Sequence, residues 1–324
     1  MQLAPEQRKG SRMKIYFATD VHGSEICWKK FIGAHKFYEV DTLILGGDMT
    51  GKAIIPIIAQ GNNKYKVTLL DQETILESKE DVNKMVATIQ NRGYYPYVTD
   101  PDEVMEISTT PGRSDEVFLK EALKTMQRWM AYADARLEGT AMRCYVCPGN
   151  DDMFEIDDII KQSKHVELVE GKVIQLDEYH EMINAGWSTP TPWKTPREES
   201  EDQLRQRIQV MIDQLKDVRN SVFNLHDPPY GSGLDDAPEL TKDMRPAYAG
   251  RSLVSVGSHA VLELIEKYEP LLGLFGHIHE GKGTRIYKHT LCINPGSMYE
   301  QGMLHGAVIE LKPKKVGNYL LTTG

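Results

Sequence analysis

Apolar residues along this chain follow two spacings, and their alternation predicts most of the secondary structure. Short apolar runs at 14–19, 41–45, 143–147, 221–225 and 271–275 read as buried strands. Between them, apolar positions recur at helical spacing over 25–38 and 115–137, the latter through Phe118, Ala122, Met126, Trp129, Met130, Ala133 and Leu137. Ser24 is placed to cap the first of these helices. Strand, helix and strand over 14–45 form a βαβ unit, so the sheet begins parallel. Alternation around a polar turn predicts an antiparallel pair, 173–176 with 182–185. Thr195-Pro196-Arg197-Glu198 matches a capping box with proline at the first helical position, predicting a helix from there to Val218. The acidic cluster 198–202 then forms a solvated first turn favoured by the helix dipole. Another helix is expected over 257–268, and strands over 285–287, 291–293, 305–311 and 316–321, with 294–297 as a turn.

The regular pattern is interrupted between residues 45 and 143. A hairpin over 65–76, a helix over 79–91 and loop or irregular strand over 94–109 suggest an insertion, 61–113, sitting as a cap over the strand ends. Prolines forbid regular structure over 188–196, which with the following helix forms a loop–helix elaboration, 188–220. Residues 1–12 are polar without an apolar stretch, so they read as a flexible terminus and not a signal peptide, leaving 13–324 as a single domain. No apolar run approaches the roughly 18 residues of a membrane span. A cytoplasmic location is the expectation.

Charge and cysteine usage narrow the partners. The formal net charge of −9 argues against a duplex nucleic-acid binder that relies on phosphate neutralisation. Small anionic substrates stay open, because bound cations would reverse the local sign. Four cysteines, Cys27, Cys144, Cys147 and Cys292, are too few for a disulfide framework and fit a reducing compartment. Cys144 and Cys147 lie three apart on one strand, facing opposite sides, and read as strand thiols. Nothing resembles a P-loop. An oligomer is compatible with the exposed helices of the insertion.

The chemistry is concentrated where predicted strands end. In order these ends carry Asp20-x-His22, Gly47-Asp48, Gly149-Asn150, His226 and Gly276-His277-x-His279. Imidazoles two apart in an extended segment reach the same side. Two carboxylates, one amide oxygen and four imidazoles form a mixed oxygen and nitrogen set, too nitrogen-rich for a Mg²⁺ or Ca²⁺ cage and without the thiolates of structural zinc. Strand C-termini are where open α/β sheets place their sites. Glycine beside three of the clusters allows close approach of backbone and metal.

As they stand, these residues resemble the signature of the calcineurin-like metallophosphoesterase family: Asp-x-His, Gly-Asp, Gly-Asn, a lone His after a strand, then Gly-His-x-His. Thr-Asp-Val-His-Gly, Gly-Asn-Asp-Asp and Gly-His-Ile-His-Glu are similar to bacterial and archaeal predicted phosphoesterases. The resemblance spans roughly 13–60 and 140–311. It implies an α/β fold, a four-layer αββα sandwich of two mixed β-sheets, with a dinuclear centre between them. One metal would take Asp20, His22 and His279, the other Asn150, His226 and His277, with Asp48 bridging. Mn²⁺ is the first expectation, with Fe, Zn²⁺ or Ni²⁺ as alternatives. A bridging hydroxide would attack phosphorus in line, and no protein nucleophile is needed.

The sequence departs from that pattern at one catalytic position. The family's usual histidine after Asn150 is here Asp151, which is structural, a water positioner or a surrogate acid. His259 and His305 are possible substitutes. Asn150, Arg197, Asn294 and Arg251 are candidate substrate contacts, and Trp193 or Tyr230 either stack on a ring or anchor their loops. His35, His165, His180 and His289 lie outside the motifs. The expected activity is hydrolysis of a small phosphodiester, favoured over a phosphomonoester because a missing acid matters less with a good leaving group; the substrate is small and phosphorylated or nucleotide-like. The competing reading is a scaffold that keeps the fold without catalysis. The complete ligand set speaks against it, since clustered ligands destabilise when no metal is bound.

Overall fold

The apolar runs divide between two six-stranded sheets in the computed structural model, which describes residues 12–324. Save for Arg12, the expected flexible terminus lies outside these residues. The first sheet runs Lys315–Thr323, His305–Lys312, Met13–Ala18, Thr42–Leu45, Arg143–Val146, Val166–Leu168. Its last four strands are mutually parallel, as the βαβ unit requires, and His305–Lys312 joins them antiparallel. The second sheet runs Gly283–Tyr287, Thr290–Asn294, Leu272–Leu274, Val222–Leu225, Glu181–Ala185, Val173–Gln175. Four parallel strands lie at its centre, with an antiparallel strand at each edge. Both sheets are therefore mixed.

Three apolar clusters set the layer order. Ile15, Phe17 and Ile44 of the first sheet pack against Met182, Val222, Leu272 and Ile293 of the second. Each such side chain contributes roughly 1.5–3 kcal/mol on burial. The outer face of the first sheet is covered by helices Glu25–Tyr38, Arg113–Leu137 and Ile156–Ile160. There Trp28 and Trp129 stack with ring centroids 4.9 Å apart. Helices Glu201–Ile212 and His259–Tyr268 cover the outer face of the second sheet. The result is the four-layer αββα order. Cys144 faces the outer cluster and Cys147 the inter-sheet core, as their spacing predicts.

The interruption between 45 and 143 is more ordered than its sequence suggests. A four-stranded sheet of Gln72–Leu76, Lys64–Leu69, Ile54–Gly61 and Tyr95–Thr99 packs on helix Lys79–Asn91 around Ile57, Val67, Leu76, Val82 and Ile89. It starts at Ile54 and not at 61. The stretch expected to be loop or irregular strand is instead strand Tyr95–Thr99 followed by helix Pro101–Thr109, whose Asp100 side chain accepts from Glu103 N. Pairing with Ile54–Gly61 and a capped proline start supply the order that periodicity lacked. This unit leans on the main body beside the first strand ends: Ser24 Oγ donates to Asn91 O at 2.7 Å. That diverts the hydroxyl from capping its own helix, although Ser24 keeps the N-cap position.

The expected helix start at Thr195 is displaced. Glu198 does take Thr195 N and Oγ1 (2.8 and 2.6 Å), but Ser188 pairs with the 197–199 backbone and holds it extended. The helix begins after Ser200, which forms the reciprocal capping box with Gln203, and ends at Ile212, with Val218–Asn220 a separate 3-10 turn. The acidic residues are not all solvated. Glu201 accepts from Ser258 Oγ, His259 N and Ala260 N, capping the neighbouring helix (2.7–2.8 Å).

Candidate metal centre

Loops after the parallel strands of both sheets converge on one cluster. Asp20 and His22 follow Met13–Ala18, Asp48 follows Thr42–Leu45, and Asn150 follows Arg143–Val146. His226 follows Val222–Leu225, while His277 and His279 follow Leu272–Leu274. Asp20, His22 and His279 form one group, Asp48, His226 and His277 a second, and His22, Asp48 and Asp151 an overlapping third, each with its donor atoms within 4.8 Å of one another. Asp48 Oδ2 lies 3.5 Å from His22 Nε2 and 3.4 Å from His226 Nε2, between the two groups. Asn150 Oδ1 lies 3.0 Å from His226 Nε2.

The donor set fits cations. His226 Nδ1 contacts Gly46 O at 3.1 Å and His22 Nδ1 contacts Thr50 O at 3.3 Å. A neutral ring that donates Nδ1–H to a carbonyl, as the buried His22 does, presents an unprotonated Nε2. That lone pair of His22 then faces His279 Nε2 at 3.0 Å and the Asp20 and Asp48 carboxylates within 3.8 Å. Acceptors meeting acceptors in a buried cluster need a cation between them. The mixed carboxylate, amide and imidazole set suits Mn, Fe, Zn or Ni.

Backbone and charge are shaped toward the same end. Asp20, His22, Asp48 and His277 all have positive φ (52°, 36°, 52° and 65°). Each such residue stores of order 1–3 kcal/mol of strain. A Cβ on Gly149 would stand 2.2 Å from Asp48 Oδ1, and one on Gly47 2.2 Å from His226 Nδ1. These glycines let the ligand-bearing loops approach one another. Burial alone would push the Asp20 carboxyl up, but His279 and His226 bring it down to about 2. Burial disfavours a charged His226, yet the Asp48 carboxylate raises it to about 9. Burial lowers His277 to about 4, leaving it neutral.

The other expected site residues fall differently. Arg197 is corrected from substrate contact to internal clamp. Only 1% exposed, its guanidinium donates to Asp152 O at 2.8 Å and Asp157 Oδ1 at 2.7 Å, over the Phe154 ring. Asn294 is likewise corrected. Its buried amide donates to Leu234 O and Ile278 O (3.1 and 2.9 Å) and accepts from Gly296 N, holding the turn that carries His277 and His279. Asn150, expected also to touch substrate, spends its Nδ2 on Thr195 Oγ1 at 2.9 Å. Arg251 is exposed. His259 stacks on Tyr230 with ring centroids 3.9 Å apart, which anchors that tyrosine, whereas Trp193 is 67% exposed. Neither His259 nor the buried His305 is in a ligand group.

Several contributors were not singled out as site residues, although Asp152 lies within the Gly-Asn-Asp-Asp stretch. Asp152 is fully buried and accepts from Met49 N, Thr50 N and Gly149 N at 2.8–3.0 Å, joining the Asp48 and Asn150 loops. Tyr299 lies over His22, ring centroids 4.7 Å apart. Asp227 accepts from Thr189 N and Oγ1 (2.8 and 2.9 Å), and burial raises its carboxyl to about 7. The 188–196 loop is thus tied at one end to Asp227 and at the other to Asn150. Asp151 is ion-paired with Lys52, a residue without any motif. Its place directly after the Gly-Asp loop was the available hint.

No family model matches the chain. The uncharacterized protein MJ1162 of Methanocaldococcus jannaschii is 27% identical over 156 residues, 48% of this chain. The match spans 64% of that relative, less than two thirds of its length. One solved chain aligns over 96% of this protein and 99% of its own length, with a TM-score of 0.57 and 15% identity. TT1561 of Thermus thermophilus aligns over 97% and 99%, with a TM-score of 0.51 and 13% identity. These likenesses are of fold: a mixed two-sheet α/β arrangement shared along nearly the whole chain.

Proposed function

We propose that this protein is a metal-dependent phosphohydrolase acting on a small phosphodiester, in preference to a phosphomonoester. One observation carries the reading. Asp48 Oδ2 stands within 3.5 Å of an imidazole from each ligand group, so one carboxylate serves both positions. Two divalent ions held there supply polarisation of a phosphoryl group and activation of water at neutral pH. Asp20, His22 and His279 would hold one ion, and Asn150, His226 and His277 the other, with Asp48 shared; Mn²⁺ is the first choice. The backbone carbonyls of Gly46 and Thr50 orient His226 and His22, and burial keeps His277 neutral for binding.

The diester preference rests on residue 151. No imidazole follows Asn150 to protonate a poor leaving group, and the Asp151 carboxylate is engaged by Lys52. The net charge of −9 supports a small substrate over duplex nucleic acid. We place the protein in the cytoplasm: its four cysteines are buried and unpaired, and no helix among the described residues is long and apolar enough to cross a membrane.

The test is hydrolysis of bis(p-nitrophenyl) phosphate beside p-nitrophenyl phosphate, on chelated protein given back Mn²⁺. Asp48→Asn and His226→Ala are expected to lose at least about 10²-fold in turnover, and the diester to be the better substrate. Turnover that survives in both variants overturns the reading. Protein that takes up no metal would leave a scaffold.

A further inference from the structure

Two residues from separate loops meet at the mouth of the cluster. Asp151 pairs with Lys52, and its Oδ2 lies 3.8 Å from His22 Nδ1. The backbone that projects Lys52 is held firmly. Gly51 N donates to Tyr95 Oη at 2.7 Å, and Tyr95 is buried, edge-on to Phe118. A Cβ on Gly51 would stand 2.4 Å from Gly93 O, so the small sheet and its helix fix this turn from behind. The Lys52 side chain stays 41% exposed, and Asp151 is its hydrogen-bond partner among the described residues. An ammonium has three donors, which leaves it capacity for another acceptor.

The site's ligand groups, among the described residues, include no lysine or arginine to do this. Their ligand atoms are acceptors or metal-directed imidazoles, and the Arg197 guanidinium is spent on Asp152 and Asp157. A phosphoryl group set among these residues would present outward oxygens to water or to Lys52. Lysine is an established point-charge partner for phosphate. An ammonium next to bound divalent cations is repelled by them, and the Asp151 carboxylate offsets that repulsion.

We propose that Lys52 binds a non-bridging oxygen of the substrate's phosphoryl group, with Asp151 as the positioning residue that holds the ammonium over the cluster; this rests on the phosphohydrolase reading. The insertion then has a role in the site through Tyr95 and Gly51, without supplying a ligand of its own.

The test measures inorganic phosphate affinity by calorimetry, KM and kcat for bis(p-nitrophenyl) phosphate, metal content and melting temperature, on Mn²⁺-loaded wild type, Lys52→Met, Lys52→Arg and Asp151→Asn. Lys52→Met should weaken phosphate binding and raise KM by about tenfold or more, with metal content and melting temperature unchanged. Lys52→Arg should restore most of the affinity, and Asp151→Asn should show a smaller loss. Wild-type phosphate affinity in Lys52→Met, or loss of metal from it, overturns the proposal and leaves the hydrolase reading intact. Wild type that binds no metal and cleaves neither ester defeats that reading instead. Lys52 is then judged by phosphate binding alone, and equal affinities for wild type and Lys52→Met overturn it.

Discussion

The loops of the first sheet bring Asp20, His22, Asp48 and Asn150 to the cluster, mostly oxygen donors, whereas those of the second bring His226, His277 and His279, all imidazoles. The first set holds one three-residue group of its own, His22, Asp48 and Asp151, but the groups that include His226, His277 or His279 need both sheets. Asp20 and His22 group with His279 from the opposite sheet, and Asp48 with His226 and His277. The site is therefore a property of the docking between sheets, whose apolar interface it crowns. Locally strained loops with like-signed carboxylates are tolerated there because the surrounding core over-determines them.

The largest test of this division removes a second-sheet ligand and leaves the first sheet untouched. His277→Ala should lower bound metal from about two ions to about one and cut diester hydrolysis by at least about 10²-fold, with the fold retained. Elemental analysis and a melting curve check it. Full metal content in this variant would show that the first sheet suffices, and the contrast would collapse.

Arg197 follows strand Glu181–Ala185 of the second sheet yet grips 152–157, which follows Arg143–Val146 of the first. It staples the two halves on the site side. Breaking this buried pair with Arg197→Met should destabilise by about 3–5 kcal/mol in denaturant unfolding. A stable variant with a raised KM would return Arg197 to the substrate.

A weaker staple sits at the opposite end. His180 Nδ1 contacts Asp177 at 2.8 Å and its Nε2 contacts Lys312 O of the first sheet at 3.1 Å. Burial would raise the Asp177 carboxyl, but the bond to His180 lowers it. A carboxyl lowered on folding stabilises above its unfolded value of about 4, and that stability is lost as pH falls through the folded value. Asp177→Asn should therefore cost on the order of 1 kcal/mol at pH 7, and less in acid below pH 4. Unfolding curves at the two pH values decide it, and a cost that does not shrink in acid breaks the assignment.

Much of the fold was readable because its signals are local. The parallel strands other than Val166–Leu168, the helix Lys79–Asn91 and the hairpin before it follow from periodicity within short windows. The start of the helix at Glu201 was misread because backbone pairing with Ser188 outcompeted a good local cap. Strand Tyr95–Thr99 was read only as loop or irregular strand because its partner, Ile54–Gly61, lies some 40 residues upstream.

The same division separates the chemistry. The sequence by itself determined which side chains of metal-ligand type end each strand, because strand ends and their glycines are written in adjacent residues. Only the tertiary structure decided where the polar side chains spend their donors. Arg197 and Asn294 carry the same local signature whether they face substrate or satisfy buried carbonyls. Lys52 and Asp151 become partners only when strands Thr42–Leu45 and Arg143–Val146 lie side by side. A side chain's partner is set by distance through space, and that distance exists only once both sheets have packed.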